Sequence, residues 1–185
     1  MKLPREELVI ITKYDVHLHG KNPADYGIIN QHDFSRTHIF DAVKASLERL
    51  QLEYIEVLQC RAIASIMEHL SMRRSVVLLF ICLLYVPLIH AMMHALHAVV
   101  QTGYVRYIGM IYAMQISRAT DYALQNKLTP FISVQNHHSL IHCEEAREMF
   151  PTTLKMFGVA AIPWRALGRG ILTRPLSAVR ANETR

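Results

Sequence analysis

Residues 38–60 read HIFDAVKASLERLQLEYIEVLQC, and this stretch decides the fold class. Apolar residues recur every three or four positions from Ile39 to Leu50, which places them on one face of a helix with Ser35 as its N-cap. Residues 54–59 then form a short apolar run that is typical of a buried strand. A helix followed directly by a buried strand predicts an α/β fold with a parallel sheet and helical crossovers.

The same alternation continues along most of the chain. Strands are predicted at 8–12, 54–59, 107–109, 131–135 and 158–164. Further helices are predicted at 89–101, ended by Gly103, at 116–127, and as a short acidic turn near Glu144. Ligands of such sheets bind beyond the carboxyl ends of the strands, so the residues that follow each strand are the candidate site residues.

Composition limits the class of protein. The chain has 185 residues, 51% of them hydrophobic and 19% charged, which predicts one ordered domain rather than a disordered tail. It is shorter than the roughly 250 residues of a closed α/β barrel. The net charge of +5 is spread along the chain without interleaved aromatic residues, so no nucleic-acid partner is expected.

Cysteine usage and the N-terminus bear on the cellular compartment. Cys60, Cys82 and Cys143 are odd in number and widely spaced, which predicts neither a disulfide framework nor a zinc site. Glu6 and Glu7 precede only a short apolar run, which does not fit a secretory signal. A reducing, cytoplasmic location is therefore expected.

Five segments together resemble one enzyme family. They are KLPREELVIITK at 2–13, the stretch 38–60, ALHAVVQTGYVRYIGM at 95–110, NKLTPFISVQNHHSL at 126–140 and IPWRALGRGILTRPL at 162–176. On these segments the chain resembles the aldo-keto reductases, in particular the fungal aryl-alcohol dehydrogenase-like branch, which includes reductases of secondary metabolism. The resemblance implies NADP(H) as cofactor and a small-molecule carbonyl compound as substrate. It also implies an incomplete (β/α)8 TIM barrel with about strands 3 to 7, whose open sheet leaves two strand edges unpaired.

The catalytic residues of that family are matched only in part. Its tetrad consists of Asp, Tyr, Lys and His: the Tyr exchanges a proton with the carbonyl oxygen, the Lys lowers the Tyr pKa, the Asp holds the Lys and the His orients the carbonyl. Lys13 matches the lysine. The Asp and Tyr fall upstream of the first residue of this chain, and Arg61 stands where the family has its His. Impaired activity is therefore expected.

The cofactor-binding positions are better matched. By resemblance, Gln135 would hydrogen-bond the nicotinamide carboxamide and Trp164 would stack on the nicotinamide ring. The loop at 165–170 would cradle the pyrophosphate with its backbone; it consists of Arg165, Ala166, Leu167, Gly168, Arg169 and Gly170. Leu167 and Gly170 fit the family pattern S-P-L-x-x-G, whereas Arg165 and Ala166 replace its Ser and Pro. Two alternatives stay open: Gln135 as a strand cap and Trp164 as a core residue.

The resemblance stops at residue 60 and resumes at residue 89. The segment between them, RAIASIMEHLSMRRSVVLLFICLLYVPL at 61–88, is interpreted as an apolar helical insertion within a single partial domain at 1–185. A translated intron or an error in the gene model is one hypothesis for its origin. The uncharged run 75–89 is shorter than the roughly 20 residues of a membrane-spanning helix, but extension to His97 reaches that length, so a span through 75–97 is the alternative.

Histidines at helical spacing raise the question of a metal. His90, His94 and His97 share one face of the predicted helix 89–101, as metal ligands sometimes do. No carboxylate or cysteine nearby completes a site, so surface histidines and no metal are predicted. The sequence favours an NADP-dependent carbonyl or alcohol oxidoreductase; the alternative is a catalytically inactive fragment that acts as an interaction or membrane-associated protein.

Overall fold

A computed structural model describes residues 4–14, 36–61, 89–111 and 116–174 of the chain. The strands are β1 Ile11–Tyr14, β2 Ile55–Arg61, β3 Val105–Ile111, β4 Phe131–Gln135 and β5 Ala160–Ala161. The helices are α1 Arg36–Leu50, α2 89–101, α3 Ile116–Gln125, α4 Glu144–Met149 and α5 Lys155–Phe157, with a π-helical turn Phe150–Leu154 between the last two. The predicted N-cap Ser35 and the insertion from residue 62 to 88 lie outside the described residues.

The strands form one parallel sheet in the order β1-β2-β3-β4-β5, so the predicted α/β architecture is confirmed. Each neighbouring pair is joined by a crossover, as parallel strands require. One row of register partners crosses the whole sheet: Lys13, Gln59, Gly109, Ser133 and Ala160. Because register partners in parallel strands point to the same face, this row fixes which side chains are neighbours beside the candidate site.

Apolar side chains from the strands and from α1, α2 and α3 pack into one core. Its largest fully buried members are Phe131, Ile39, Ile55, Leu58, Ile89, Met92, Met93, Leu96, Ile108, Met110 and Ile116. The predicted inward face of α1 is correct for its first three turns but wrong for Leu50, which is 45% exposed. The helix ends at Leu50, Gln51 adopts a positive φ of 54°, and Leu52 packs against the core instead.

Several apolar side chains on or beside the strands are exposed. Val9, Ile11, Tyr107 and Ile132 are between 37% and 69% exposed. Among the described strands, β1 and β5 each pair with one neighbour only and form the two outer edges. This is the open sheet that five strands of a barrel are expected to give.

Four of the five strands have bounds that differ from the sequence-based prediction, and β2 runs over Ile55–Arg61 rather than 54–59. The first strand starts at Ile11 rather than at residue 8, because the backbone N–H of Ile10 donates to Oε2 of Glu56 at 2.8 Å and a 3-10 turn, Arg5–Glu7, precedes it. The third strand extends to 105–111. The fifth is confined to Ala160–Ala161, since Gly158 adopts a left-handed conformation that ends the preceding helix.

The candidate membrane span lies mostly outside the described residues. Within the described ranges, no helix is both long enough and apolar enough to cross a membrane.

Candidate functional site

Lys13 lies in β1, one residue before the end of that strand, and its side chain is exposed. Its register partner in β2 is Gln59. Among the described residues, no hydrogen bond or ion pair reaches the Lys13 ammonium. The side chain is therefore free to approach a group above the carboxyl edge of the sheet.

Gln59 and Ser133 form a buried bridge across β3. Gln59 is fully buried, and its Nε2 donates to Oγ of Ser133 at 2.9 Å. Gly109 lies between them in the register, and a Cβ at this position would come within 2.5 Å of the Gln59 amide. The register shift between Ile108 and Gly109 is the irregularity that brings Ser133 opposite the glycine.

Gln135 is the last residue of β4, where it pairs with Ile111 and is half-buried. Beyond it, several buried polar atoms find no hydrogen-bond partner among the described residues. They are Nδ2 and Oδ1 of Asn136, Nδ1 of His138 and Oγ of Ser139. Because unsatisfied buried polar groups are costly, the segment after β4 is unusually rich in groups available to a ligand or to other parts of the protein.

Trp164 follows β5 and takes part in a stack of planar groups. Its ring centroid is 4.5 Å from that of His137, with the two planes 21° apart, and His137 in turn stacks on His142 at 4.0 Å. The guanidinium of Arg165 lies 4.6 Å from the centroid of the Trp164 ring. Trp164 is half-exposed and lies outside the hydrophobic core cluster. It is therefore not a core residue, which was the alternative interpretation.

The stack affects the titration of His137. Its pKa is lowered because burial disfavours the imidazolium and because the neighbouring His142 and Arg165 repel a second positive charge. Local sequence patterns did not single out His137, so this contact was not predicted. The available signal was its position two residues beyond a strand, where ligands of parallel α/β sheets bind.

The loop at 165–170 has an irregular backbone. Arg165, Gly168, Arg169 and Gly170 all have φ between 57° and 88°, and two of these four are not glycine. Gly168 is buried, and a Cβ there would lie 2.8 Å from Cδ1 of Ile141, so the loop packs closely on the segment after β4. Ala166 and Leu167 are exposed. The backbone N–H groups of Gly168 and Gly170 donate within the loop, to the carbonyl oxygens of Arg165 at 2.8 Å and of Leu167 at 3.0 Å.

The sheet brings only part of the predicted site together. Backbone hydrogen bonds join the segments that hold Gln135 and Trp164, since Ile162 donates to Val134 O at 2.8 Å and Trp164 donates to Asn136 O at 2.9 Å. Lys13 lies three strands away at about 14 Å, from the usual spacing of neighbouring strands. The backbone of Arg61 ends β2 between these two parts.

The histidines of α2 make contacts within the fold. His90 stacks on Tyr122 of α3 at 3.8 Å, and Nε2 of His94 lies 3.1 Å from the hydroxyl of the same tyrosine. Nδ1 of His97 accepts the backbone N–H of Thr129 at 3.2 Å. These contacts join α2 to α3 and to the approach to β4. In the part of the chain that the structure describes, no group of three or more His, Cys, Asp or Glu is placed to hold a metal ion.

Comparison with known proteins places this architecture in one fold. An aldo-keto reductase of Bacillus halodurans, solved in its holo form, superposes with a TM-score of 0.60 at 22% identity and covers 93% of this chain. The match spans 46% of that protein. The sheet and its helices therefore correspond to part of a (β/α)8 barrel, as the five-stranded parallel order and its open edges indicate.

Sequence comparison identifies the family. The sequence profile of the Aldo/keto reductase family matches residues 1–183, and the chain belongs to this family. A versiconal hemiacetal acetate reductase of Aspergillus parasiticus is 36% identical over 94% of this chain and 48% of its own length. An aldo-keto reductase of Metarhizium robertsii is 36% identical over 94% of this chain and 46% of its own length. A putative aryl-alcohol dehydrogenase of Schizosaccharomyces pombe is 40% identical over 82% of this chain and 40% of its own length. The chain thus spans about half the length of the curated relatives it matches.

Proposed function

We propose that this chain is part of an NADP(H)-dependent aldo-keto reductase that interconverts the carbonyl and alcohol forms of a small molecule. In this proposal Gln135, Trp164 and the loop at 165–170 bind the nicotinamide and pyrophosphate, and Lys13 is the catalytic lysine. The observation that carries the proposal is the joining of Gln135, Trp164 and the loop at the carboxyl edge of β4 and β5. Ligands of parallel α/β sheets bind at this edge.

The residues present suit a nicotinamide dinucleotide. Gln135 is half-buried, and its amide has no hydrogen-bond partner among the described residues, so it is available to a carboxamide. The half-exposed Trp164 offers a planar surface at the same edge. The positive φ angles of the loop and the guanidinium groups of Arg165 and Arg169 suit a pyrophosphate.

Each residue has a definable role in the reaction. The cofactor, when bound, supplies or accepts a hydride at the carbonyl carbon of the substrate. Gln135 would fix the orientation of the nicotinamide by hydrogen bonds to its carboxamide, and Trp164 would cover the ring and exclude water. Lys13 would place a positive charge near the group that exchanges a proton with the carbonyl oxygen, which favours the ionised form of that group.

The surface beside the loop supports an apolar substrate. Leu140, Ile141, Leu167 and Ile171 are each at least 50% exposed, and they lie on the segments after β4 and β5. Exposed apolar patches next to a site of this kind commonly face a ligand. Relatives named as a versiconal hemiacetal acetate reductase and a putative aryl-alcohol dehydrogenase support the same substrate class.

Arg61 supports a second candidate function, cofactor binding without efficient turnover. It stands at the end of β2, at the position of the family's carbonyl-orienting histidine. A guanidinium differs from an imidazole in size and in the direction of its N–H groups, so it would not orient a carbonyl oxygen as a histidine does. The chain would then bind NADP(H) through Gln135 and Trp164 while carbonyl reduction is slow.

The two candidates are separated by measuring turnover and binding together. The oxidation of NADPH by aromatic aldehydes would be followed by absorbance in the wild-type chain and in Lys13→Met, with Lys44→Met as control because Lys44 is an exposed lysine on α1. A reductase loses its activity in Lys13→Met and keeps it in Lys44→Met. NADPH binding without turnover in any variant supports the second candidate, and absence of binding contradicts both.

The domain organisation and the cellular compartment are part of the proposal. We propose one partial domain at 1–185, interrupted by the insertion at 61–88, in a reducing cytoplasmic compartment. The continuity of the sheet from β2 to β3 across that insertion supports a single domain. Sequencing the messenger RNA tests the insertion: message that lacks these codons would show that the segment is not part of the protein.

A further inference from the structure

We propose that Gln59 is a positioning residue that holds the Lys13 ammonium through its side-chain carbonyl oxygen. The proposal rests on the proposed function in so far as Lys13 is the catalytic lysine. In this proposal the neutral amide of Gln59 in β2 fixes the position of the Lys13 charge.

The register makes the two side chains neighbours. Lys13 and Gln59 are directly paired in β1 and β2, so their side chains project from the same face of the sheet. Side chains of directly paired residues start about 5 Å apart, well within the reach of a lysine. Lys13 is exposed and has no bond to another described residue, so it is free to turn toward Gln59.

The hydrogen bond to Ser133 leaves the side-chain oxygen of Gln59 as the amide atom without a partner among the described residues. The side chain is fully buried, and its Nε2 is engaged by Oγ of Ser133 at 2.9 Å. Its Oε1 finds no hydrogen-bond partner among the described residues. Leaving a buried carbonyl oxygen without a hydrogen bond costs stability. A lysine ammonium has N–H donors that can supply this hydrogen bond.

Gly109 keeps this arrangement in place. The glycine leaves the space that the Gln59 amide occupies, because a Cβ at that position would overlap both the amide and Oγ of Ser133. Four residues therefore form one row: Lys13, Gln59, Gly109 and Ser133. In this row Gly109 and Ser133 orient the Gln59 amide, and its oxygen accepts a hydrogen bond from the Lys13 ammonium. Gln59 acts through Lys13 and need not touch substrate or cofactor.

The test measures the reactivity of the lysine rather than enzyme activity. Native protein would be treated briefly with an amine-acetylating reagent, and acetylation of each lysine would be measured by peptide mass spectrometry in wild type and Gln59→Leu. Loss of the acceptor is expected to raise the acetylation rate of Lys13 about fivefold, equivalent to about 1 kcal/mol. The rates at Lys44 and Lys155, both exposed, serve as controls in the same sample and are expected to stay unchanged.

Two further variants guard against a trivial explanation. Gln59→Glu keeps an acceptor oxygen, so the Lys13 rate is expected to return to or below that of wild type. Ser133→Ala removes the hydrogen bond that orients the Gln59 amide but keeps the amide, so an intermediate acetylation rate of Lys13 is expected. This variant also tests the proposal if Gln59→Leu does not fold. Equal Lys13 rates in all folded variants would overturn the proposal. Because acetylation needs neither cofactor nor turnover, this result is independent of whether the chain binds NADPH.

Discussion

The imidazole of His137 stacks on the indole of Trp164 with centroids 4.5 Å apart, and this contact ties the ends of β4 and β5 together. The two residues also form an isolated parallel bridge beyond the ends of their strands. Since Trp164 is the single tryptophan of the chain, its fluorescence reports on the candidate cofactor site alone.

We expect acid to quench Trp164 fluorescence through His137. A protonated imidazole quenches a stacked indole, and the pKa of His137 lies below its ordinary value because burial and the nearby positive charges disfavour the imidazolium. The groups that face it are His142, Arg165 and Arg169, which lower the pKa, and Glu145, which raises it. The emission of Trp164 should therefore fall with a midpoint below the usual 6.5.

The control for this titration is His137→Phe, which keeps a stacked ring and removes the titrating group. In that variant the emission should stay flat over the same pH range. A midpoint at or above the ordinary histidine value in the wild type, or an unchanged titration in His137→Phe, would show that another group quenches the tryptophan.

Gly109→Ala should destabilise the protein. The added Cβ overlaps the Gln59 amide and Oγ of Ser133, and overpacking of this kind costs about 1–3 kcal/mol. Urea unfolding of Gly109→Ala, Gln59→Ala and the double variant measures the effect. The double variant should be more stable than the sum of the single effects predicts, since Gln59→Ala makes room for the methyl group. Additive effects would mean that the cost of the alanine lies elsewhere.

The ion pair of Arg5 and Glu56 predicts a specific acid sensitivity. The Arg5 guanidinium bonds both carboxylate oxygens at 2.7 and 3.0 Å, and this bond, together with the N–H of Ile10, holds the Glu56 pKa below its ordinary 4.5. A lowered folded-state pKa gives stability that is present above the unfolded value and is lost as pH falls through the folded one. The free energy of unfolding should therefore decrease with acid in this range.

Glu56→Gln is the matched variant for this prediction, because it keeps the shape of the side chain and removes its titration. Its free energy of unfolding should be lower than that of wild type at neutral pH, and the difference should shrink as the pH is lowered. A difference that is constant across the acid range would rule out Glu56 as the source of the acid sensitivity.

The two described cysteines should differ in reactivity. Burial raises the pKa of Cys60 to about 12, so its thiolate is scarce and inaccessible. Cys143 is only half-buried, beyond β4. Iodoacetamide should label Cys143 in native protein and Cys60 only in denaturant. Labelling of both at similar rates would contradict the packing of Cys60 in the core.

The strand and helix order was accessible from sequence because buried strands and amphipathic helices have distinct periodicities. The start of β1 could not be predicted, because the N–H of Ile10 bonds the side-chain carboxylate of Glu56, 46 residues away, rather than a backbone carbonyl of the neighbouring strand. The last turn of α1 was also mispredicted, since helical periodicity does not show where the helix stops and Leu52 replaces Leu50 at the core.

The candidate site was only partly accessible. Resemblance pointed to Gln135 and Trp164 but gave no reason to pair Trp164 with His137. The bond of Gln59 to Ser133 joins residues 74 positions apart and depends on the register shift at Gly109. Contacts of this kind follow from the order and register of the strands, which local patterns do not specify.

Binding of NADPH beside Gln135 and Trp164 is tested most directly by an NADPH titration, followed by energy transfer from Trp164 to the reduced nicotinamide. Wild type would be compared with Gln135→Ala and with the control Gln101→Ala, which alters an exposed glutamine at the end of α2. Saturable transfer that Gln135→Ala weakens about tenfold, and Gln101→Ala leaves unchanged, is the predicted result; a loss of about 1.4 kcal/mol fits the removal of an amide hydrogen bond. Folded wild-type protein that shows no saturable transfer, or equal affinity in all three proteins, would contradict NADPH binding at this site through Gln135.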